Sequence, residues 1–271
     1  MPFLSPFRPF IDRPLARAAA PSSGSRDPLD SPLWPTMAER YLGGRRAVFD
    51  DAVQVVLPPV TEDQTQVPVT VDARALGAAD EVLVIADLNP FPLTLRLEPL
   101  AAKPFVAFRM KIEQGTPIRA AVRKGETWHV GGRYLDAAGG GCSVPPVVEK
   151  KVDWKSLGET RARVWDEADG LRLRLRMTHP MDTGMLANIP LFVIEDLSVA
   201  DAAGTVLARL TLQEPVADNP TLTLLPDRPA AGEALTLKAR NTNGTVFTVR
   251  VPIPPNAASA AAPAAGQEGR L

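Results

Sequence analysis

The chain is almost without sulfhydryls and imidazoles: one cysteine, Cys142, and two histidines, His129 and His179, in 271 residues. A single cysteine excludes an internal disulfide, a cysteine-rich zinc site, a CxxCH haem attachment and a CxxC redox pair. The two histidines lie far apart in sequence, which is no local metal-ligand spacing, so neither a metal nor a resident cofactor is expected. Aromatics make up only 6%. No apolar run approaches the ~18 residues of a membrane-spanning helix, so no membrane span is expected. An excess of either charge is missing too: the formal net charge is −1, which provides no broad basic field for nucleic acid. The N-terminal "MPFLSPFRPFIDRPLARAAAPSSGS" holds arginines and small residues but lacks the continuous apolar core of a secretory signal.

What is abundant is proline, 28 residues, with 45% hydrophobic residues concentrated in Val, Leu and Thr runs. That combination suits a β-rich protein with many turns. Residues 1–33 are rich in Pro, Ser, Ala and Arg without periodicity and read as disordered or loosely attached. In "LWPTMAERYLGG", Pro35 near the start and Gly43 after the end predict a short helix, with Trp34, Ala38 and Leu42 on one face. Strand patterns follow at 52–60, 67–74, 81–89, 91–100, 104–112, 118–125 and 126–134. "LTLRLEPL" alternates with period two, Leu93, Leu95 and Leu97 against Thr94, Arg96 and Glu98. A second series runs through 160–167, 171–181, 190–201, 205–215, 221–227, 233–242 and 245–253, with "ADG" as a hairpin turn. Strands recurring this often without helices between them predict an all-β protein: two immunoglobulin-like β-sandwiches in tandem, with a short N-terminal helix. The expected divisions are 34–134 and 159–254 for the sandwiches, 135–158 for a glycine-rich arm and linker, and 255–271 for a disordered tail.

The arm is "RYLDAAGGGCSVPP", residues 133–146. Gly139, Gly140 and Gly141 precede the only thiol, and Pro145 and Pro146 follow. Glycine resists ordering more than any other residue, so these three predict flexibility and an exposed Cys142. Residues 133–142 could extend roughly 30 Å at ~3.3 Å each. A thiol with a pKa near ~8.5 and no flanking cation is a slow nucleophile at neutral pH. That suits a group carrier activated by its partners, and no catalytic residues are expected. A cysteine enzyme would need His129 or His179 within hydrogen-bond reach of the sulfur; for His129 the plainer reading is a half-exposed strand histidine. "THPMDTG", 178–184, reads as a strand-to-loop corner: Pro180 ends the strand and Gly184 can take positive φ. On composition a structural corner and a partner-binding corner are equally supported.

Together these features resemble a known family pair. "GGC" at 140–142 resembles the swinging-arm end of the sulfur carrier SoxY, and "HPMDTG" at 179–184 resembles the "HPMxTG" element of its partner SoxZ. "LPPVTEDQTQVPVTVDA" (57–73), "ADLNPFP" (86–92) and "FRMKI" (108–112) resemble further SoxY segments. "DNPTLTL" (218–224) is a looser match to a SoxZ element whose phenylalanine is missing here. In the two-protein system these are separate chains; a fused order resembles the SoxYZ-like carriers associated with quinoprotein dehydrogenases.

The resemblance implies a periplasmic carrier of the thiosulfate-oxidising type, with Cys142 as covalent attachment point for a persulfide or thiosulfonate. It implies partners of the Sox c-type cytochrome and hydrolase kind, or a quinoprotein dehydrogenase system. It also makes His179, Pro180, Met181, Thr183 and Gly184 a partner or domain contact. This sequence departs from SoxY in one respect: its cysteine is internal, so the arm is tethered at both ends. The alternative expectation is a structural interaction module for a periplasmic dehydrogenase or cytochrome in which the cysteine is dispensable.

Overall fold

A computed structural model describes residues 26–143, 154–186, 188–230 and 232–255. Pro145, Pro146, the N-terminal stretch before residue 26 and the tail after residue 255 lie outside the described residues.

Helix α1 (Trp34–Leu42) forms where the sequence predicts it. Proline in its first turn gives up an N–H that has no intrahelical partner there. Gly43 ends it at a left-handed φ of 63°, a conformation that costs glycine nothing. Eight strands form the first half: β1 (Arg46–Phe49), β2 (Gln54–Val56), β3 (Val67–Asp72), β4 (Glu81–Ala86), β5 (Leu93–Glu98), β6 (Ala102–Met110), β7 (Thr116–Lys124) and β8 (Thr127–Leu135). The second half contributes β9 (Thr160–Glu167), β10 (Gly170–Met177), β11 (Ile194–Ala200), β12 (Val206–Leu212), β13 (Thr221–Pro226), β14 (Ala234–Asn241) and β15 (Val246–Pro252). Strand β1 is the one the sequence patterns do not reveal. It is four residues long, too short for a periodic signal, and it makes the one parallel pairing among the described strands, against β8.

The two halves are joined more closely than a tandem arrangement requires. One layer runs β1-β8-β7-β4-β5-β12-β11-β14-β15 and the other β2-β3-β6-β13-β10-β9. In both layers an edge strand of the first half pairs antiparallel with one of the second. Leu97 faces Leu210 and Leu95 faces Leu212 across β5–β12; Val106 faces Leu224 across β6–β13. Pairing removes exposed sheet edges that would otherwise invite aggregation. The inner faces then merge into one apolar cluster that includes Val84, Leu97, Val106, Leu210, Leu224 and Leu237.

Strand β4 is buried along almost its whole length, which accounts for its unbroken apolar run "VLVIA". Its second face is covered by α1, which packs Trp34, Met37 and Leu42 against Leu83, Ile85, Ala121, Trp128 and Val130. Residues 26–33, expected to be loosely attached, are instead pinned. The Arg119 guanidinium, 1% exposed, takes both Asp27 carboxylate oxygens at 2.8 and 2.7 Å and reaches Asp87 through Nε at 3.0 Å. Trp34 stacks on the same guanidinium, 4.4 Å from ring centroid to Cζ. Burial pushes Asp27 up, but Arg119 and the N–H groups of Ser31 and Leu29 outweigh it and hold the carboxyl below its ordinary value. No composition-based reading exposes such a clamp, because its three charges come from distant positions.

Because the layers run through both halves, we predict one cooperative unfolding transition. Leu97→Ala, at a wholly buried seam position, is expected to cost about 2–5 kcal/mol and to lower the midpoint of both halves together. Chemical denaturation followed by tryptophan fluorescence and circular dichroism checks this; separate transitions would contradict it.

Candidate functional site: a docked thiol at the junction of the halves

Strand β6 ends at Met110, and the chain turns through Lys111, Ile112 and Glu113 before β7. Asn89 fixes this turn from the side. Its Nδ2 donates to the Lys111 carbonyl at 2.9 Å and its Oδ1 accepts the Glu113 N–H at 2.9 Å. Ile112 N–H donates to Gln64 O at 2.8 Å. The turn is thereby rigid, and it presents the Ile112 and Glu113 carbonyls and the Glu113 carboxylate in one direction.

The arm lies against that surface. Gly140 N–H donates to Glu113 O at 3.0 Å and Gly141 N–H to Ile112 O at 2.9 Å. The Glu113 carboxylate then accepts three bonds: Cys142 N–H at 2.9 Å and Ser143 N–H at 3.0 Å on Oε2, and Ser143 Oγ at 2.7 Å on Oε1. A Cβ on Gly139, whose φ is +104°, would lie 2.6 Å from Glu113 O; one on Gly141 would lie 2.2 Å from Gln64 O and 2.5 Å from Ile112 O. These two glycines are therefore needed for close backbone approach.

This corrects the expectation of an exposed thiol. Cys142 is 4% exposed, and the glycines expected to loosen the arm let it pack. Flexibility and close approach both follow from the missing side chain; the tertiary environment selects the second. Burial pushes the Cys142 thiol up to about 12, with the Glu113 carboxylate adding to the rise and Lys111 opposing it. In this docked arrangement the sulfur is a neutral S–H at neutral pH.

Lys111 links the thiol to the second half. Its ammonium, only 8% exposed, donates to Met181 O at 2.6 Å and lies 2.8 Å from Asp218 Oδ1. The "HPMDTG" corner thus meets the arm's support through its backbone. His179 is fully buried and stacks on Phe192 with centroids 4.5 Å apart. Its Nδ1 accepts the Met181 N–H at 3.1 Å, which leaves the proton on Nε2, an atom with no partner among the described residues. Burial, then Lys111, lowers His179 to about 4. Met181 takes a positive φ of 50°, and its buried Sδ accepts the Ile194 N–H at 3.3 Å. Asp182 and Phe192 exchange backbone hydrogen bonds at 2.8 and 3.0 Å, and burial raises the Asp182 carboxyl.

Of the other corner residues, Pro180 is buried while Thr183 caps the Met185 N–H at 3.3 Å. Gly184 turns the chain outward at φ +73°. His179, Pro180 and Met181 therefore pack inward at the junction, while Gly184 is exposed.

No hydrogen bond joins the thiol to either imidazole among the described residues. His129 is half-buried and holds Asp50 at 2.7 Å instead. No group of three His, Cys, Asp or Glu among the described residues is placed to hold a metal ion. No described helix is long and apolar enough to cross a membrane. The residues that sequence reasoning missed are Asn89, Lys111, Glu113 and Asp218. Three of them stand inside segments singled out in the sequence, Asn89 in "ADLNPFP", Lys111 in "FRMKI" and Asp218 in "DNPTLTL". The available signal was a lysine and a glutamate placed directly after an apolar strand.

In comparison with known proteins, residues 38–142 match the family of the sulfur oxidation protein SoxY, and the matched stretch ends on Cys142. The match covers less than half of the chain.

No curated protein matches the chain. Among solved structures, similarity is found to the sulfur carrier protein SoxY from Chlorobium limicola f thiosulfatophilum, at 22% identity over 37% of this chain and 91% of that one, with a TM-score of 0.34. A glycosyl hydrolase family 2 member from Bacteroides cellulosilyticus DSM 14838 is 15% identical over 73% of this chain and 28% of its own, with a TM-score of 0.23. A β-glycosidase from Bacteroides vulgatus is 12% identical over 75% of this chain and 25% of its own, with a TM-score of 0.20.

Glu113→Ala removes three hydrogen bonds from the arm and is expected to speed iodoacetamide alkylation of Cys142 by about tenfold or more, with little change in the thermal midpoint. Because the docked thiol is raised above the ordinary ~8.5, docking is fully favoured below that pH and weakens as pH climbs towards 12. Protection from alkylation, relative to the unfolded chain, should fall over that window. His179 works in the opposite sense: its depressed pKa stabilises the fold above about 6.5, and this contribution is lost as pH falls towards 4. The thermal midpoint should decline over that interval, and less steeply in His179→Asn.

Proposed function

We propose that this protein is a sulfur carrier in which Cys142 covalently holds a small sulfur intermediate and presents it to redox enzymes. The observation that carries the proposal is the SoxY match ending on the chain's only thiol. In this reading the second half takes the role of the SoxZ partner, to which "HPMDTG" is similar, and the shared layers replace association of separate chains. The location is periplasmic, as for Sox proteins generally.

Docking and delivery are then two states of one arm. Docked, the sulfur is buried and protonated, and stray oxidants and electrophiles find no thiolate. Released, the thiol returns to an ordinary pKa, and the glycines regain the most backbone freedom of any residue type. Joining a thiol to thiosulfate to give a thiosulfonate releases one proton and two electrons. An external acceptor must take those electrons. This assigns the carrier a redox partner, a c-type cytochrome or a quinoprotein dehydrogenase system, and a hydrolase to remove the terminal sulfonate. The arm is tethered on both sides, so its reach is shorter than that of a free-ended arm, and partners must bring their active sites to the junction.

Intact-mass spectrometry of protein recovered from its own cells tests the proposal. The expected result is an added sulfur atom or thiosulfonate that dithiothreitol removes and that is absent in Cys142→Ala. An unmodified thiol, with sulfur-dependent growth unaffected by Cys142→Ala, would instead favour an interaction module in which the cysteine is dispensable.

A further inference from the structure

The charge of the chain is nearly balanced, but its distribution is not. Strands β9 and β10 pair so that Arg163 stands opposite Arg174, and Arg161 opposite Arg176. All four side chains are exposed on one face of the sheet. Among the described residues, no carboxylate lies within 4.0 Å of any of them. Their neighbours on the inner side are uncharged: Thr221 faces Arg176 and Thr223 faces Arg174 on β13. Arg96, Arg123 and Arg209, on other strands, each pair with an acid. The far end of the face is closed by Trp165, on which Arg163 and Arg172 stack at 5.0 and 4.6 Å; Arg172 alone has an acid, Glu167 at 2.9 Å.

Like charges directly opposite on a sheet destabilise it, so two such pairs side by side need a reason. Protection of a sheet edge by charge explains arginines on β9, the edge strand. It does not explain Arg174 and Arg176, which sit on an inner strand. Arginine also presents a planar fork that matches carboxylates two bonds at a time.

We propose that the outer face of β9 and β10 is a docking surface for the acidic face of a partner protein. A protein is favoured over a nucleic acid because the basic field spans two strands only and the net charge is −1, whereas phosphate backbones are held by extended basic surfaces. The position supports the same choice. Strand β10 runs from Arg176 through Met177 into the His179–Met181 corner, whose Met181 carbonyl holds Lys111 beneath the arm. A partner seated on the arginines would lie next to the junction where the thiol is stored. The choice of a protein partner rests on the carrier reading, while the unpaired arginines do not.

Titration of the isotope-labelled full chain with poly-L-glutamate, followed by amide chemical shifts, tests the surface. The comparison probes are a mixed-sequence DNA duplex and phosphatidylglycerol vesicles. Amides of 161–163 and 172–176 are expected to shift with poly-L-glutamate, with an affinity that falls as salt rises. Arg161→Glu combined with Arg163→Glu turns both like-charge pairs into opposite-charge pairs. It should weaken poly-L-glutamate binding about tenfold or more while leaving the thermal midpoint unchanged or higher. Cys142→Ala is expected to bind as the parent chain does, so loss of the sulfur-adduct reading would leave this result standing. The proposal is overturned if no shifts appear on β9 and β10, if duplex or vesicles bind as tightly as poly-L-glutamate, or if the double variant binds unchanged.

Discussion

A lysine ammonium withdrawn from water must find oxygen on several sides, since an isolated buried charge is too costly to keep. Lys111 meets that demand with one oxygen from the Met181 backbone and one from the Asp218 side chain, both in the other half of the chain. Its own backbone is held by Asn89 and by Pro215 O. The position of the turn, and with it the position of Glu113, therefore depends on the second half being in place. The arm rests on that turn, so the state of the thiol is tied to the junction.

The thiol is stored by ordinary forces acting together. Two backbone bonds align the glycines, one carboxylate gathers Cys142 and Ser143, and the absent side chains of Gly139 and Gly141 allow the approach. Each contact is modest, on the order of 1 kcal/mol for a neutral hydrogen bond and somewhat more for one to a charge. The sum is opposed by the freedom three glycines regain on release. In the proposed carrier, such a balance would keep the arm closed at rest and let it open when a partner binds nearby.

The shared layers give the junction its rigidity. Had the halves been separate sandwiches on a linker, Lys111, Met181 and Asp218 could not hold a fixed geometry, because interfaces between independent domains are commonly mobile. Edge-to-edge pairing in both sheets, with one apolar cluster beneath, removes that freedom. The arginine face then lies on a rigid strand that leads straight into the corner.

The sequence by itself determined the strand content, the short helix and nearly every strand position, because alternation, proline and glycine are local signals. "LRLRLRM" could only be a strand with one face buried, and Gly43 could only follow a helix end. It also singled out Cys142 and the "HPMDTG" corner, whose composition is unusual enough to see without coordinates. Tertiary structure alone decided that the thiol is buried, that Glu113 and Lys111 are its neighbours, and that residues 26–33 are held by Arg119. Those outcomes come from residues distant in the chain. Glycine illustrates why they were out of reach: its missing side chain permits both a loose arm and a tight one, and only the backbone atoms of Gln64, Ile112 and Glu113 lying against it select between the two.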